Sequence, residues 1–313
     1  ARWLRADLPR KLLELPPEYV GAGYDVALAV APRAGREVPL NLMLDSGLTT
    51  SMLMPHAAAF LGLGGGESRK FMAADGGQRA SSVRLEGLRL EATELRLGPL
   101  SPLVTSFPQH EIGSGLGCPI DGMLGMEFYD QFGVEVDGGR MRLYDPCREA
   151  IEALAGERGM TAVTATSLPA QLLGVGVATA GAPAGEQVRV LGIVDTGASF
   201  TVLNWAAASH LLGLQRHDPA LAEAETVSGQ DIRGAAMDMP VVRAELELRG
   251  AGREPRTGLV RFASVEVAVG DIALFGKILG GDLDSPAALV GQDIMTQRPT
   301  LIAARERLIC FRT

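Results

Sequence analysis

Residues 41–53 read NLMLDSGLTTSML, an apolar run that stops on an acid, Asp45, followed by Ser46 and Gly47. A strand of this kind is buried, and a carboxylate at its end needs a reason. Residues 191–203 read LGIVDTGASFTVL. Laid under the first stretch without a gap, they put Asp195 beneath Asp45, Thr196 beneath Ser46, Gly197 beneath Gly47 and Leu203 beneath Leu53. The likeness extends to Ala57-Ala58 over Ala207-Ala208 and, after one inserted residue, Leu61-Gly62-Leu63 over Leu212-Gly213-Leu214.

The likeness returns late in each half. DGMLGMEF (121–128) matches AALVGQDI (287–294), and RMRL (140–143) matches RERL (305–308). Two long similar units are too few and too large for a solenoid. They imply a duplicated chain: an N-terminal extension over 1–20, one lobe over 21–148, a connection with a helical stretch over 149–167, and a second lobe over 168–313.

Each unit reads as mainly β. YDVALAVAP and EVPLNLMLD flank a turn at RAGR, and LLGVGVATA and QVRVLGIVD flank GAPAGE. A short helix follows each acid: PHAAAFLGL starts on Pro55, and NWAAASHLLGL has Asn204 as N-cap. RKFMAADGGQRASS and EAETVSGQDIRGAA read as hairpins tipped by Asp75-Gly76-Gly77 and Ser228-Gly229-Gln230. Alternation over 83–100 predicts strands with one wet face. MEFYDQF predicts a short helix before a closing hairpin, VEVDGGRMRLYD.

The 313 residues are 47% hydrophobic but only 5% aromatic, so aliphatic side chains must build the core. A net charge of −8 without a long basic run argues against a nucleic-acid partner. Three cysteines at scattered positions make no disulfide framework, and no Cys/His pattern for a metal occurs. Reducing surroundings fit best. The two long uncharged stretches, 46–66 and 196–215, are broken by polar residues and glycines, so no transmembrane segment is expected. No signal peptide is read at the start of the chain.

A lone Asp-Ser-Gly is most simply a turn that ends a strand. Two copies at equivalent points of a duplicated unit suggest more. Approximate two-fold symmetry can bring the two acids together, and close carboxylates then share one proton. One acid and one base in one site can activate a water and polarise a carbonyl. No metal, cofactor or covalent nucleophile is needed. Gly47 and Gly197 permit a tight turn, and the Ser46 and Thr196 hydroxyls can tie the two loops together.

The residues DSG (45–47), DTGAS (195–199), MLG (123–125) and LVG (289–291) resemble those of the pepsin-like and retropepsin-like aspartic proteases. The resemblance implies a mainly β, bilobal acid-protease-like fold of two pseudo-two-fold-related β-barrel lobes with short helices. It makes Asp45 and Asp195 the catalytic dyad, with Ser46, Gly47, Thr196, Gly197 and Ser199 supporting the loops. The hairpins carrying Asp75, Gly76, Gly77, Ser228, Gly229 and Gln230 take the place of substrate-binding flaps. Leu48 departs from the small or hydroxyl residue usual after the first glycine. The flaps lack a Tyr-Gly pattern, and the pepsin cysteines are missing. The retropepsin side is therefore closer, and an intracellular site, cytoplasmic or organellar (chloroplast or mitochondrion), is expected. The function so implied is an aspartic endopeptidase acting on extended polypeptides. The alternative is a catalytically silent, protease-like scaffold that binds other protein subunits.

Overall fold

The computed structural model describes residues 6–9, 11–12, 25–73, 76–90, 95–107, 120–137, 140–180, 190–230, 236–251, 258–272, 275 and 284–313. The chain opens with strands β1 (Ala6–Pro9) and β2 (Lys11–Leu12), then β3 (Asp25–Arg33) and β4 (Arg36–Leu44). β3 and β4 form a hairpin whose turn residues Ala34 and Gly35 both have left-handed φ, the twist that suits a two-residue connection. Next come β5 (Met52–Leu53), helix α1 (Pro55–Leu61), β6 (Glu67–Ala73), β7 (Gly76–Ser82), β8 (Arg89–Leu90), β9 (Leu103–Val104) and β10 (Gly122–Leu124). Helix α2 (Met126–Tyr129), β11 (Gly133–Asp137), β12 (Arg140–Tyr144), helix α3 (Arg148–Glu157) and β13 (Met160–Thr164) lead to the second half.

There the elements are β14 (Thr166–Ser167), β15 (Leu173–Thr179), β16 (Val190–Val194), β17 (Val202–Leu203), helix α4 (Trp205–Leu212), β18 (Thr226–Gln230) and β19 (Ala236–Arg249). β20 (Leu259–Val269), β21 (Ala287–Val290), helix α5 (Gln292–Met295), β22 (Thr300–Ala303) and β23 (Leu308–Arg312) complete the chain. The architecture is mainly β with short helices, as an acid-protease-like fold requires.

Two of the three sheets run in the same order. One is β2-β3-β4-β10-β5-β9-β7-β6, the other β14-β15-β16-β21-β17-β20-β19-β18. In each, the strand before the acid pairs in parallel with a late strand: Leu42, Met43 and Leu44 with Gly122, Met123 and Leu124, and Gly192, Ile193 and Val194 with Ala288, Leu289 and Val290. The late strand then pairs antiparallel with the strand after the acid loop, β5 or β17. The acid-bearing loop is thus held between two strands of a fully buried ladder, which is why both strands read as unbroken apolar runs.

The helices after the loops end alike. Gly62 and Gly213 adopt left-handed φ and close α1 and α4 with backbone bonds to the last turn. Their starts differ. Asn204 caps α4 by accepting from Ala207 N–H at 2.8 Å, and the same Oδ1 accepts from Ala287 N–H at 3.0 Å. Met54 offers no side-chain cap, and Pro55 opens α1 instead.

The third sheet, β1-β12-β11-β22-β23-β13, interleaves strands from the beginning, middle and end of the chain, with Val134 opposite Ile302. Its buried Glu135 accepts from Tyr144 Oη at 2.6 Å and is ion-paired to Arg142 and Arg158, so a charge with no exposure is matched.

Two sequence expectations change. Among the described residues of 83–100, Arg89–Leu90 is the only strand; Leu85–Leu100 and Arg89–Arg96 are isolated bridges. Gly87, at φ +71°, breaks the run, and Pro99 lacks an N–H for a ladder. The alternation is real as burial, since Leu85, Leu88, Leu90, Leu97 and Leu100 all enter the core. The glycines also do not form the hairpin tips. Met72 pairs with Gly77 and Ala73 with Gly76, so Gly76 and Gly77 lie on β7 and Asp75 falls outside the described residues. Ser228, Gly229 and Gln230 pair with Asp238, Met237 and Ala236 within β18 and β19. These glycines sit in ladders, where a missing side chain leaves room for a neighbour such as Met239 at Gly229.

Candidate active site

Both acid loops are built by the same backbone bonds. Asp45 N–H donates to Leu124 O and Asp195 N–H to Val290 O, each at 3.0 Å. Gly47 N–H returns to Asp45 Oδ1 at 2.9 Å, and Gly197 N–H to Asp195 Oδ1 at 2.8 Å. Met126 N–H donates to Leu48 O and Gln292 N–H to Ala198 O, each at 2.8 Å, which fixes the helix after the late strand against the loop. Ser51 Oγ accepts from Gly125 N–H at 3.1 Å and Thr201 Oγ1 from Gly291 N–H at 3.2 Å.

The loops are then cross-tied. Ser46 N–H donates to Thr196 Oγ1 and Thr196 N–H to Ser46 Oγ, each at 3.0 Å. The same hydroxyls donate onward, Ser46 to Val194 O at 3.0 Å and Thr196 to Leu44 O at 3.2 Å. Both residues are buried, so each bond lies where water cannot replace it.

This grip brings the acids together. The Asp195 carboxyl carbon lies 2.4 Å from where a β-carbon on Gly47 would stand, the Asp45 carboxyl carbon stands in the same relation to Gly197, and the two carboxyls act on each other's titration. Asp45 is 9% exposed and Asp195 half-buried, which leaves the pair reachable from solvent on the Asp195 side. Burial pushes the Asp45 carboxyl well above the ordinary range; the Asp195 charge adds to this, against the Gly47 and Leu48 amides. Burial also raises Asp195, opposed by the Gly197 N–H, the Asp45 side chain, and the Ala198 and Gly47 amides. The pair therefore keeps one proton, shared between the two carboxyls, over a wider pH range than free carboxyls.

Residues 32–128 match the family model described as aspartyl protease. Over this segment the chain is similar to the aspartyl proteases. The match takes in the Asp45 loop and the MLG stretch, and ends before Tyr129; Asp195 lies beyond it. No curated protein matches the chain.

The aspartic protease segment meets the rest of the chain at residues that sequence reading does not single out. Tyr129, buried at the end of α2, donates its hydroxyl to Thr196 Oγ1 at 2.9 Å. Gln292 Nε2 donates to Thr196 O at 3.0 Å. Neither residue repeats between the halves: Met126 stands at the place of Gln292, and Met295 at that of Tyr129. Ser51 and Thr201 also go unnamed by the sequence reading, although they fall opposite each other in the aligned stretches, a signal that could have found them. Ser199 is buried, its carbonyl accepting from Asp293 N–H at 3.2 Å.

A pair of acids at the place after the late glycine also differs. Glu127 accepts from Ser51 N–H at 3.1 Å and Ser101 N–H at 3.3 Å. Asp293, one carbon shorter, accepts from Thr201 Oγ1 at 2.8 Å, and among the described residues its buried Oδ2 has no hydrogen-bond partner. Burial pushes this carboxyl up to about 7, against the bonds from Thr201 and the Ile294 amide.

Among the described residues no three His, Cys, Asp or Glu side chains gather as a metal site, and no helix is long and apolar enough to cross a membrane. The glycine-rich 113–118, with Cys118, lies outside the described residues, as do 1–5, 10 and 13–20 of the N-terminal extension.

Proposed function

We propose that the protein is an aspartic endopeptidase that hydrolyses peptide bonds of extended polypeptides, with Asp45 and Asp195 as its dyad. The observation that carries the reading is the seating of each acid against the opposite loop's glycine, held by reciprocal Ser46–Thr196 bonds. A water bound between the acids loses a proton to Asp195 as its oxygen attacks the peptide carbonyl carbon. The Asp45 proton goes to the carbonyl oxygen as it becomes tetrahedral. Collapse of the intermediate breaks the C–N bond: the proton on Asp195 passes to the leaving nitrogen, while one hydroxyl of the gem-diol returns its proton to Asp45 and becomes the carbonyl of the new carboxyl group.

The same reading treats the chain as two fused retropepsin-like lobes, supported by the matching strand order of two sheets. The edge strands β6 and β18, each in a hairpin, then serve as flaps that add main-chain hydrogen bonds to an extended substrate.

The test is cleavage of a peptide library between pH 3 and 8 by the full chain, Asp45→Asn and Asp195→Asn. The expected result is acid-dependent cleavage, blocked by pepstatin and lost in both variants. Full activity in either variant sinks the dyad. A folded chain that forms a stoichiometric protein complex and cleaves nothing across that range would establish the scaffold instead.

A further inference from the structure

A second cleft lies apart from the paired acids. Its volume is about 580 Å³, and none of its lining residues belongs to the Asp45 or Asp195 loop. The floor is apolar and buried: Met126, Leu173 and Ala304. The rim is polar and exposed, and it carries two cations, Arg305 and Arg307. Among the described residues neither guanidinium has an ion pair or a hydrogen bond; Arg305 acts on the Asp130 carboxyl of the same rim through charge alone. In a chain of net charge −8, two uncommitted arginines over one apolar floor are a local excess of positive charge.

The backbone around the cleft is strained. Four non-glycine residues have left-handed φ among the described residues, and three of them are here: Ala170, Gln171 and Arg307. Ala34, the fourth, has an evident reason in its hairpin turn. Each left-handed residue with a β-carbon is costly, and such residues persist where the surroundings hold them for a purpose. Each turn is held by a backbone bond: Ala165 N–H donates to Arg307 O at 2.8 Å, and Gln171 N–H donates to Leu168 O at 3.1 Å within its own turn. Strain therefore presents Gln171 and Arg307 at fixed places on the rim.

We propose that this cleft binds a small molecule joining an apolar body to a carboxylate, the apolar part on Met126 and Leu173 and the carboxylate between Arg305 and Arg307. Guanidinium forks suit carboxylates in both geometry and charge. The apolar floor sets this ligand apart from a bare inorganic anion, which would gain nothing from Met126 and Leu173. Asp130 and Gln171 stand ready for an amide or amine on the same ligand. The proposal does not rest on proteolysis and stands or falls separately from it.

The experiment is calorimetric titration of the full chain with N-acetyl-leucine, N-acetyl-leucinamide, acetate and inorganic phosphate. The expected order is clear binding of N-acetyl-leucine and binding weaker by about tenfold or more for the other three. Arg305→Gln and Arg307→Asn should each weaken N-acetyl-leucine about tenfold. Asn tolerates the left-handed backbone and both sites are exposed, so the variants keep the fold, checked by circular dichroism. Equal binding of the amide, equal binding of phosphate, unchanged affinity in both variants, or no binding of N-acetyl-leucine up to ~20 mM would each overturn the proposal.

Discussion

Gly47 lies so close to Asp195 that a β-carbon on it would sit 2.4 Å from the Asp195 carboxyl carbon, and Gly197 stands in the same relation to Asp45. Each glycine leaves open the space that the opposite acid fills. Gly47→Ala or Gly197→Ala must therefore push a carboxyl out of the pair. The expected outcome is loss of peptide cleavage by ~100-fold or more, since displacement by about 1 Å is enough to cost that much. Overpacking should destabilise each variant by ~1–3 kcal/mol in urea unfolding. An alanine variant with unchanged turnover would mean that the pair is not the reacting centre.

Thr196 offers a sharper separation of shape from hydrogen bonding. Its hydroxyl accepts from Ser46 N–H and donates to Leu44 O inside a buried contact. Thr196→Val keeps the volume and strands the Ser46 N–H, the Leu44 carbonyl and the Tyr129 hydroxyl. A loss of ~3 kcal/mol or more in unfolding free energy is expected, at about 1–3 kcal/mol for each buried group left unsatisfied. Thr196→Ser keeps the hydroxyl, as Ser46 does across the contact, and should lose less than ~1.5 kcal/mol. Denaturant titrations of the two variants side by side decide the matter.

Much of this arrangement is legible in the sequence because it is local and repeated. An apolar run ending in Asp-Ser-Gly or Asp-Thr-Gly, then a short helix closed by glycine, specifies strand, loop and helix in each half. The reason for Gly47 and Gly197 is not legible. Turn chemistry suggests a need for unusual φ, yet neither glycine has it; the need comes from the acid in the other half of the chain. Tyr129 and Gln292 escape for a related cause: they have no repeat partner, and only tertiary packing carries them to Thr196. The hairpin glycines mislead in the opposite direction. Gly76, Gly77 and Gly229 look like turn residues but fill ladder positions, and single-sequence turn rules cannot tell the two apart.

The Tyr129 contact makes the two halves of the site unequal. Thr196 already spends its proton on Leu44 O, so Tyr129 is the donor in their 2.9 Å bond. Tyr129→Phe removes that donor alone and leaves the ring packed against Phe128. A loss of ~1 kcal/mol in stability is expected, the usual net worth of a buried bond. Cleavage should fall by less than about tenfold in kcat with KM unchanged, because Tyr129 acts on the loop and not on substrate. A large rise in KM would contradict this positioning role.

Asp293 supplies a pH dependence of stability whose sign can be worked out. Its native carboxyl titrates at about 7, above the ordinary value of 3.8. Between those values the folded chain holds a proton that the unfolded chain has released. The fold is then favoured at low pH, and that contribution is lost as pH rises toward 7, by up to ~4 kcal/mol in total. The physical cause is the bare Oδ2: once ionised, it is a buried charge with no hydrogen bond from any described residue. Asp293→Asn keeps an acceptor for Thr201 and cannot ionise. Urea unfolding at pH 5 and pH 8 should find the variant close to the parent chain at pH 5 and clearly more stable at pH 8. Asp293→Glu tests the geometry, because Glu127, at the place in the first half that Asp293 holds in the second, reaches the two backbone donors Ser51 and Ser101. If the parent chain loses no stability over that interval relative to Asp293→Asn, the carboxyl does not carry a proton in the folded state.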